Sequence, residues 1–141
     1  MAGRDQKIAQ LEQVPLFSSL SKKELAIVAR HCDEVDVDAG VVLCREGELA
    51  HEFGLILSGN ADVKRAGRKL ASLGPGEFFG EMAILDPSPR SATVTSATPC
   101  KLVVMHRNDF ALVIDTVPAV ARKLLAGLAR RLRDADRRLI S

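Results

Sequence analysis

The chain has no tryptophan and no tyrosine, and its five phenylalanines are its only aromatic residues. Any core must therefore be largely aliphatic, and hydrophobic residues, at 47% of the total, suffice to build one. Cys32, Cys44 and Cys100 are odd in number and far apart, which fits neither a disulfide framework nor a metal knuckle. Each reads as a small buried apolar residue. His31, His51 and His106 stand alone, so the clustered ligands of a cupin-type metalloenzyme are missing. No nucleophile-elbow motif is visible either, and no catalytic activity is expected. No apolar run approaches the roughly 20 residues that a membrane-spanning helix requires. The opening residues, Met1 to Lys7, lack the apolar segment of a signal peptide, and a cytoplasmic location is expected. The net charge of +2 is too small for the basic field of a dedicated nucleic-acid binder.

What is present suits one compact domain. A chain of 141 residues can bury about two-thirds of its unfolded surface, enough for a single core. Residues 4–13 carry Ile8 and Leu11 on one face and predict a short, weak helix that Pro15 ends. Ser21 followed by Glu24 has the spacing of a capping box and starts a second helix over residues 21–31. The period then changes to two. Residues 35–38, 41–44, 53–57, 61–64, 69–73, 92–95 and 102–105 are short β-rich runs punctuated by glycine turns, the pattern of a closed roll or sandwich. After Met105 the pattern turns helical, with a short helix from Asn108 or Asp109 to Ile114. A longer one follows from Pro118, a residue suited to a first helical turn, to about Leu139. Its apolar stripe, Val120, Leu124, Leu128 and Leu132 with Leu125 beside them, suits either a lid or a dimer seam.

Phe79-Gly80-Glu81-Met82-Ala83-Ile84-Leu85, followed after four residues by Arg90-Ser91-Ala92-Thr93-Val94, carries the chemistry. A phosphate socket needs a glycine where backbone amides approach an anion, a helical turn aiming those amides, and an arginine to neutralise the charge. All three occur in that order. Glu81 would repel the phosphate unless the ligand also offers a hydroxyl, as a sugar phosphate does.

This stretch resembles the phosphate-binding cassette of cyclic nucleotide-binding domains, the family of the catabolite activator protein, the regulatory subunits of cyclic-AMP-dependent kinase and cyclic-nucleotide-gated channels. Pro15 to Leu20, Gly40 to Leu43, Glu46 to Ala50, and Phe53, Ile56, Leu57, Gly59 and Val63 extend the resemblance over nearly the whole chain. It implies a mainly β fold with flanking α: an antiparallel, eight-stranded, jelly-roll-like β-roll with N-terminal helices, a short cassette helix and two C-terminal helices. The implied layout is a single domain over 1–141. Residues 1–31 form its N-terminal helices, 32–105 its roll with the cassette at 79–93, and 106–141 its hinge and lid helices.

The implied ligand is cyclic AMP or cyclic GMP, with no cofactor and no metal. Arg90 would grip the exocyclic phosphate oxygens through a two-pronged contact that lysine does not copy. The resemblance assigns Glu81 the ribose 2′-hydroxyl. Phe79, Gly80, Met82, Ala83, Ser91 and Ala92 would complete the cradle, and a hydroxyl at Ser91 leaves the base preference open. Leu124, Leu128 and Arg131 fall where the family places its purine lid. Gly127 within that helix marks either close packing or a point of flexure. The expected partners are the nucleotide and an effector protein or fused effector domain, with a homodimer seam on the last helix as a further option. No DNA-binding module follows, and the basic residues of the last helix read as a solvated face. The alternatives are a sensor excised from a larger channel, kinase or transcription regulator, and a degenerate scaffold that binds nothing. The intact Glu81 and Arg90 argue against the scaffold.

Overall fold

The structure is a computed structural model and describes residues 2–49, 51–86 and 89–140. Ala50, one of the residues carrying the resemblance, lies outside them, as do Pro87 and Ser88 of the cassette span. Two helices, α1 (Ala2–Glu12) and α2 (Lys22–Arg30), precede the strands. Five strands follow: β1 (Asp33–Val37), β2 (Val42–Cys44), β3 (Glu52–Ser58), β4 (Ala61–Arg65) and β5 (Arg68–Leu73). After them come β6 (Phe78–Phe79), the short helix α3 (Glu81–Leu85), β7 (Thr93–Ser96) and β8 (Cys100–His106). Helices α4 (Arg107–Thr116) and α5 (Pro118–Ile140) close the chain. All seven runs of period two are strands, each end within about two residues of the expectation.

The strands form two antiparallel sheets, ordered β1-β8-β3-β6 and β2-β7-β4-β5. Alternation sorts the side chains of the first sheet onto two faces. Phe53 and Leu55 of β3, Val103 and Met105 of β8, and Phe78 of β6 face the helices. There they join Leu11, Phe17, Leu25, Val28, Phe110 and Val113 in the larger core. Ile56, Leu102, Cys100 and Phe79 join the smaller core that fills the roll, with Cys44, Ala61, Leu73 and Val94. Gly54, opposite Phe79 in the ladder, makes room for its ring, because a Cβ there would lie 2.2 Å from Phe79 Cζ.

Ser21 caps α2 as its spacing predicts. Its hydroxyl accepts from the Glu24 amide at 3.1 Å, and the Glu24 carboxylate accepts from the Ser21 amide at 2.9 Å. Helix α4 starts at Arg107, one residue before the expected start, because the His106 ring accepts from the Asn108 amide and serves as N-cap. His31 spends its Nδ1 on Asp109 at 2.9 Å, joining α2 to α4. All three cysteines are buried free thiols.

Pro118 opens α5, as expected from its fixed φ. The apolar stripe of this helix does not stay on one face. Val120 and Leu124 are buried, Leu128 packs against the larger core, and Leu132 is 65% exposed. Residues four apart drift around a helix of 3.6 residues per turn, so Leu132 sits about 120° from Val120. Among the described residues no helix is long and apolar enough to cross a membrane.

Candidate functional site

Between the second sheet and the cassette lies a cavity of about 220 Å³. Its apolar wall comes from inward positions of the roll: Cys44, Val63, Ala71, Leu73 and Val94, with Phe78 and Phe79 at the end. Its polar wall is Gly80, Glu81, Arg90, Ser91, Ala92 and Arg131. The structure thus gathers Phe79, Gly80, Glu81, Arg90, Ser91 and Ala92 around one hollow, together with Arg131 from α5. Met82 and Ala83 are in α3, and their side chains lie outside the described residues. Leu124 is 2% exposed within the larger core, Leu128 packs against that core, and neither lines the cavity.

Local chain geometry explains how the cassette is held. Gly80 has φ of 88°, a left-handed value that glycine adopts without steric cost as the chain leaves β6 for α3. A Cβ there would lie 2.7 Å from the Glu52 carbonyl oxygen and 2.8 Å from Arg90 Nη1. Glycine is therefore needed both for the turn and for the approach of the guanidinium. On the far side, the Arg90 backbone is clamped in both directions. Its amide donates to the Glu48 carbonyl at 2.8 Å, and its carbonyl accepts from the Gly47 amide at 2.8 Å.

The Arg90 side chain is half committed. Nη2 donates to the Glu52 carbonyl at 2.9 Å, while Nη1 is buried and has no hydrogen-bond partner among the described residues. A buried, unpaired guanidinium nitrogen is costly, and an anion in the cavity would satisfy it.

Glu81 is 2% exposed at the first position of α3. One carboxylate oxygen accepts from Arg131 Nη1 at 2.7 Å, and Arg131 Nη2 donates to the Phe78 carbonyl at 2.6 Å. The same guanidinium lies 4.4 Å from the centre of the Phe78 ring. Burial pushes the Glu81 carboxyl above its usual range, and Arg131, then Arg90, draw it partly back. The Cys44 thiol is likewise raised by burial and pulled back by Arg90. Arg131 thus fills one side of the cavity and engages the carboxylate through a charge-assisted bond.

Sequence reasoning placed Arg131 at the mouth of the roll but missed its pairing with Glu81, fifty positions away. It also missed the Glu52 carbonyl that anchors Arg90 and the apolar wall. The alternation in Val63, Ala71 and Val94 is the signal that could have found that wall, because inward positions of a roll line whatever it encloses.

Comparison with known proteins agrees with this architecture. The cyclic AMP receptor protein of Thermus thermophilus is 36% identical over 127 residues, covering 86% of this chain and 59% of the receptor. A cyclic nucleotide-gated potassium channel of Mesorhizobium japonicum is 39% identical over 108 residues, covering 77% of this chain and 30% of the channel. The crystal structure of the Thermus thermophilus catabolite activator protein superposes with a TM-score of 0.78 at 37% identity, over 89% of this chain and 61% of that one. The chain therefore spans about three-fifths of the receptor and under a third of the channel. The family model described as the cyclic nucleotide-binding domain matches residues 34–116, from β1 to the end of α4 and more than half of the sequence, and to that family this chain belongs.

Proposed function

We propose that the chain is a cyclic AMP sensor in which the nucleotide bound within the roll is felt by the C-terminal helix. One observation carries the reading: Arg90 Nη1 is buried beside Gly80 without a partner among the described residues, in the cavity that Glu81 also lines. The cyclic phosphate takes the free prong of Arg90 and the amides of Gly80, Met82, Ala83, Ser91 and Ala92. Glu81 accepts the ribose 2′-hydroxyl. The purine lies against Val63, Ala71, Leu73 and Val94, with Arg131 at its rim. A ligand of this size, at about 0.3 kcal/mol per heavy atom, binds near the micromolar range, which suits a reversible sensor.

The choice of cyclic AMP over cyclic GMP rests on relatives named for cyclic AMP, such as the Thermus receptor. Coupling follows from Arg131, which in this structure holds the same carboxylate that the ribose needs. A nucleotide that engages Glu81 changes the hold of α5 on the roll, and an effector that fits one placement of α5 reads the change. The chain acts in the cytoplasm and catalyses nothing. Its effector is a separate protein or a fused domain, and the outer stripe of α5 seats a second copy.

Calorimetric titration of cyclic AMP and cyclic GMP into wild type and Arg90→Ala tests this. Wild type should bind cyclic AMP more tightly than cyclic GMP, and Arg90→Ala should lose about 10- to 100-fold, the equivalent of a hydrogen bond to a charged group. A wild type silent to both nucleotides overturns the sensor reading. Equal binding by the variant shows that the phosphate sits elsewhere.

A further inference from the structure

The ladder between β4 and β7 ends at the pair Lys64 and Thr93. One residue further on, Arg65 no longer pairs with that strand through its backbone. Its Nε instead donates to the Ser91 carbonyl at 2.9 Å. The hairpin tip beyond it is held in an unusual way. Ala66, with φ of 52°, is the only non-glycine residue among those described with a positive φ, and its amide donates to the Glu46 carboxylate at 3.0 Å. The Glu46 amide donates in turn to Thr93 Oγ1 at 3.0 Å. A ring of side-chain-to-backbone bonds therefore ties the β4–β5 turn, the loop around Gly47 and the chain at 91–93 into one unit.

The Ser91 carbonyl and the Ala92 amide belong to one peptide plane, and in a trans peptide they point in opposite directions. No peptide among the described residues is cis. Arg65 is exposed and holds the carbonyl from outside the pocket, so the Ala92 N–H points away from Arg65, and Ala92 itself lines the cavity. A cation on the carbonyl also polarises the plane and makes its N–H a stronger donor. We infer that Arg65, outside the pocket, is a positioning residue that aims and strengthens the Ala92 amide for an anionic ligand oxygen. The inference rests on the cyclic nucleotide reading and adds to it a residue that never touches the ligand.

The test measures cyclic AMP affinity for wild type, Arg65→Ala, Arg65→Lys and Arg68→Ala, and follows the Ala92 amide by NMR during each titration. Arg68 lies on the same hairpin with the same charge and serves as the control for long-range electrostatics. Arg65→Ala should bind about 5- to 20-fold more weakly, and the nucleotide-induced shift of the Ala92 amide should shrink. Arg65→Lys should recover part of both, and Arg68→Ala should stay within about two-fold of wild type. Unchanged affinity in Arg65→Ala overturns the inference, as does an equal loss in Arg68→Ala or an undiminished Ala92 shift. If wild type binds no cyclic nucleotide, the reading of the pocket itself has failed, a result distinct from all of these.

Discussion

Arg90 and Glu81 face one cavity, yet the fold treats them differently. Arg90 gives one prong to the Glu52 carbonyl, while the other is buried with no partner among the described residues, a desolvation cost that an anion would relieve. Glu81 is buried with its charge answered by Arg131. Burial still dominates, and the carboxyl holds its proton more tightly in the folded chain than in the unfolded one. The sign follows from proton linkage: where the folded state binds more protons, stability falls as pH rises. The contribution is fully present below the unfolded-state pKa and is lost as pH rises through the elevated folded-state value. As pH rises from the ordinary carboxylate range, the melting temperature of wild type should therefore decline more steeply than that of Glu81→Gln, which has no proton to lose. Parallel melting curves across that range would show that Glu81 titrates normally.

At the scale of elements, the phenylalanines link pieces of the fold that are distant in sequence. Phe110 of α4 stacks on Phe53 of β3 at 4.5 Å, and Phe53 meets Phe78 of β6 at 5.9 Å. Phe78 in turn carries the Arg131 guanidinium of α5 over its ring, 4.4 Å from the centroid. Helix α5 passes close to this ring at Gly127, where a Cβ would lie 3.0 Å from Phe78 Cζ. The glycine therefore marks close packing. In an open helix, Gly→Ala gains about 1 kcal/mol. Here the methyl meets a ring that also contacts Phe53 and the Arg131 guanidinium, so Gly127→Ala should leave the melting temperature unchanged or lower it. A clear rise, measured by circular dichroism, would mean that Phe78 has room to yield. The same elements show what the sequence could and could not disclose. Gly80, Glu81 and Arg90 were legible because residue type and short spacing define their chemistry, and the longer strands were legible because they alternate. Strand β6 was not, since two residues carry no period. The Arg131 contact with Glu81 was not either, because it depends on how α5 crosses the roll.

At the scale of the whole molecule, α5 has two faces of different character. Val120 and Leu124 are buried and Leu128 packs against the core, while Arg131 reaches the cassette. The other face presents Leu125 and Leu132, 64% and 65% exposed and seven residues apart, with Ala129 between them. Seven-residue spacing is the repeat of a two-stranded helical seam, in which each leucine packs against its counterpart. Burying a leucine is worth about 1.5 to 3 kcal/mol, and two per chain would give a modest, concentration-dependent dimer. Sedimentation velocity should show wild type shifting from monomer to dimer as concentration rises, with Leu125→Glu/Leu132→Glu monomeric throughout. Because these leucines point away from the cavity, the double variant should keep the nucleotide affinity of wild type. A wild type that stays monomeric at every concentration would return the stripe to solvent or to the effector, and α5 would then signal through a partner of a different kind.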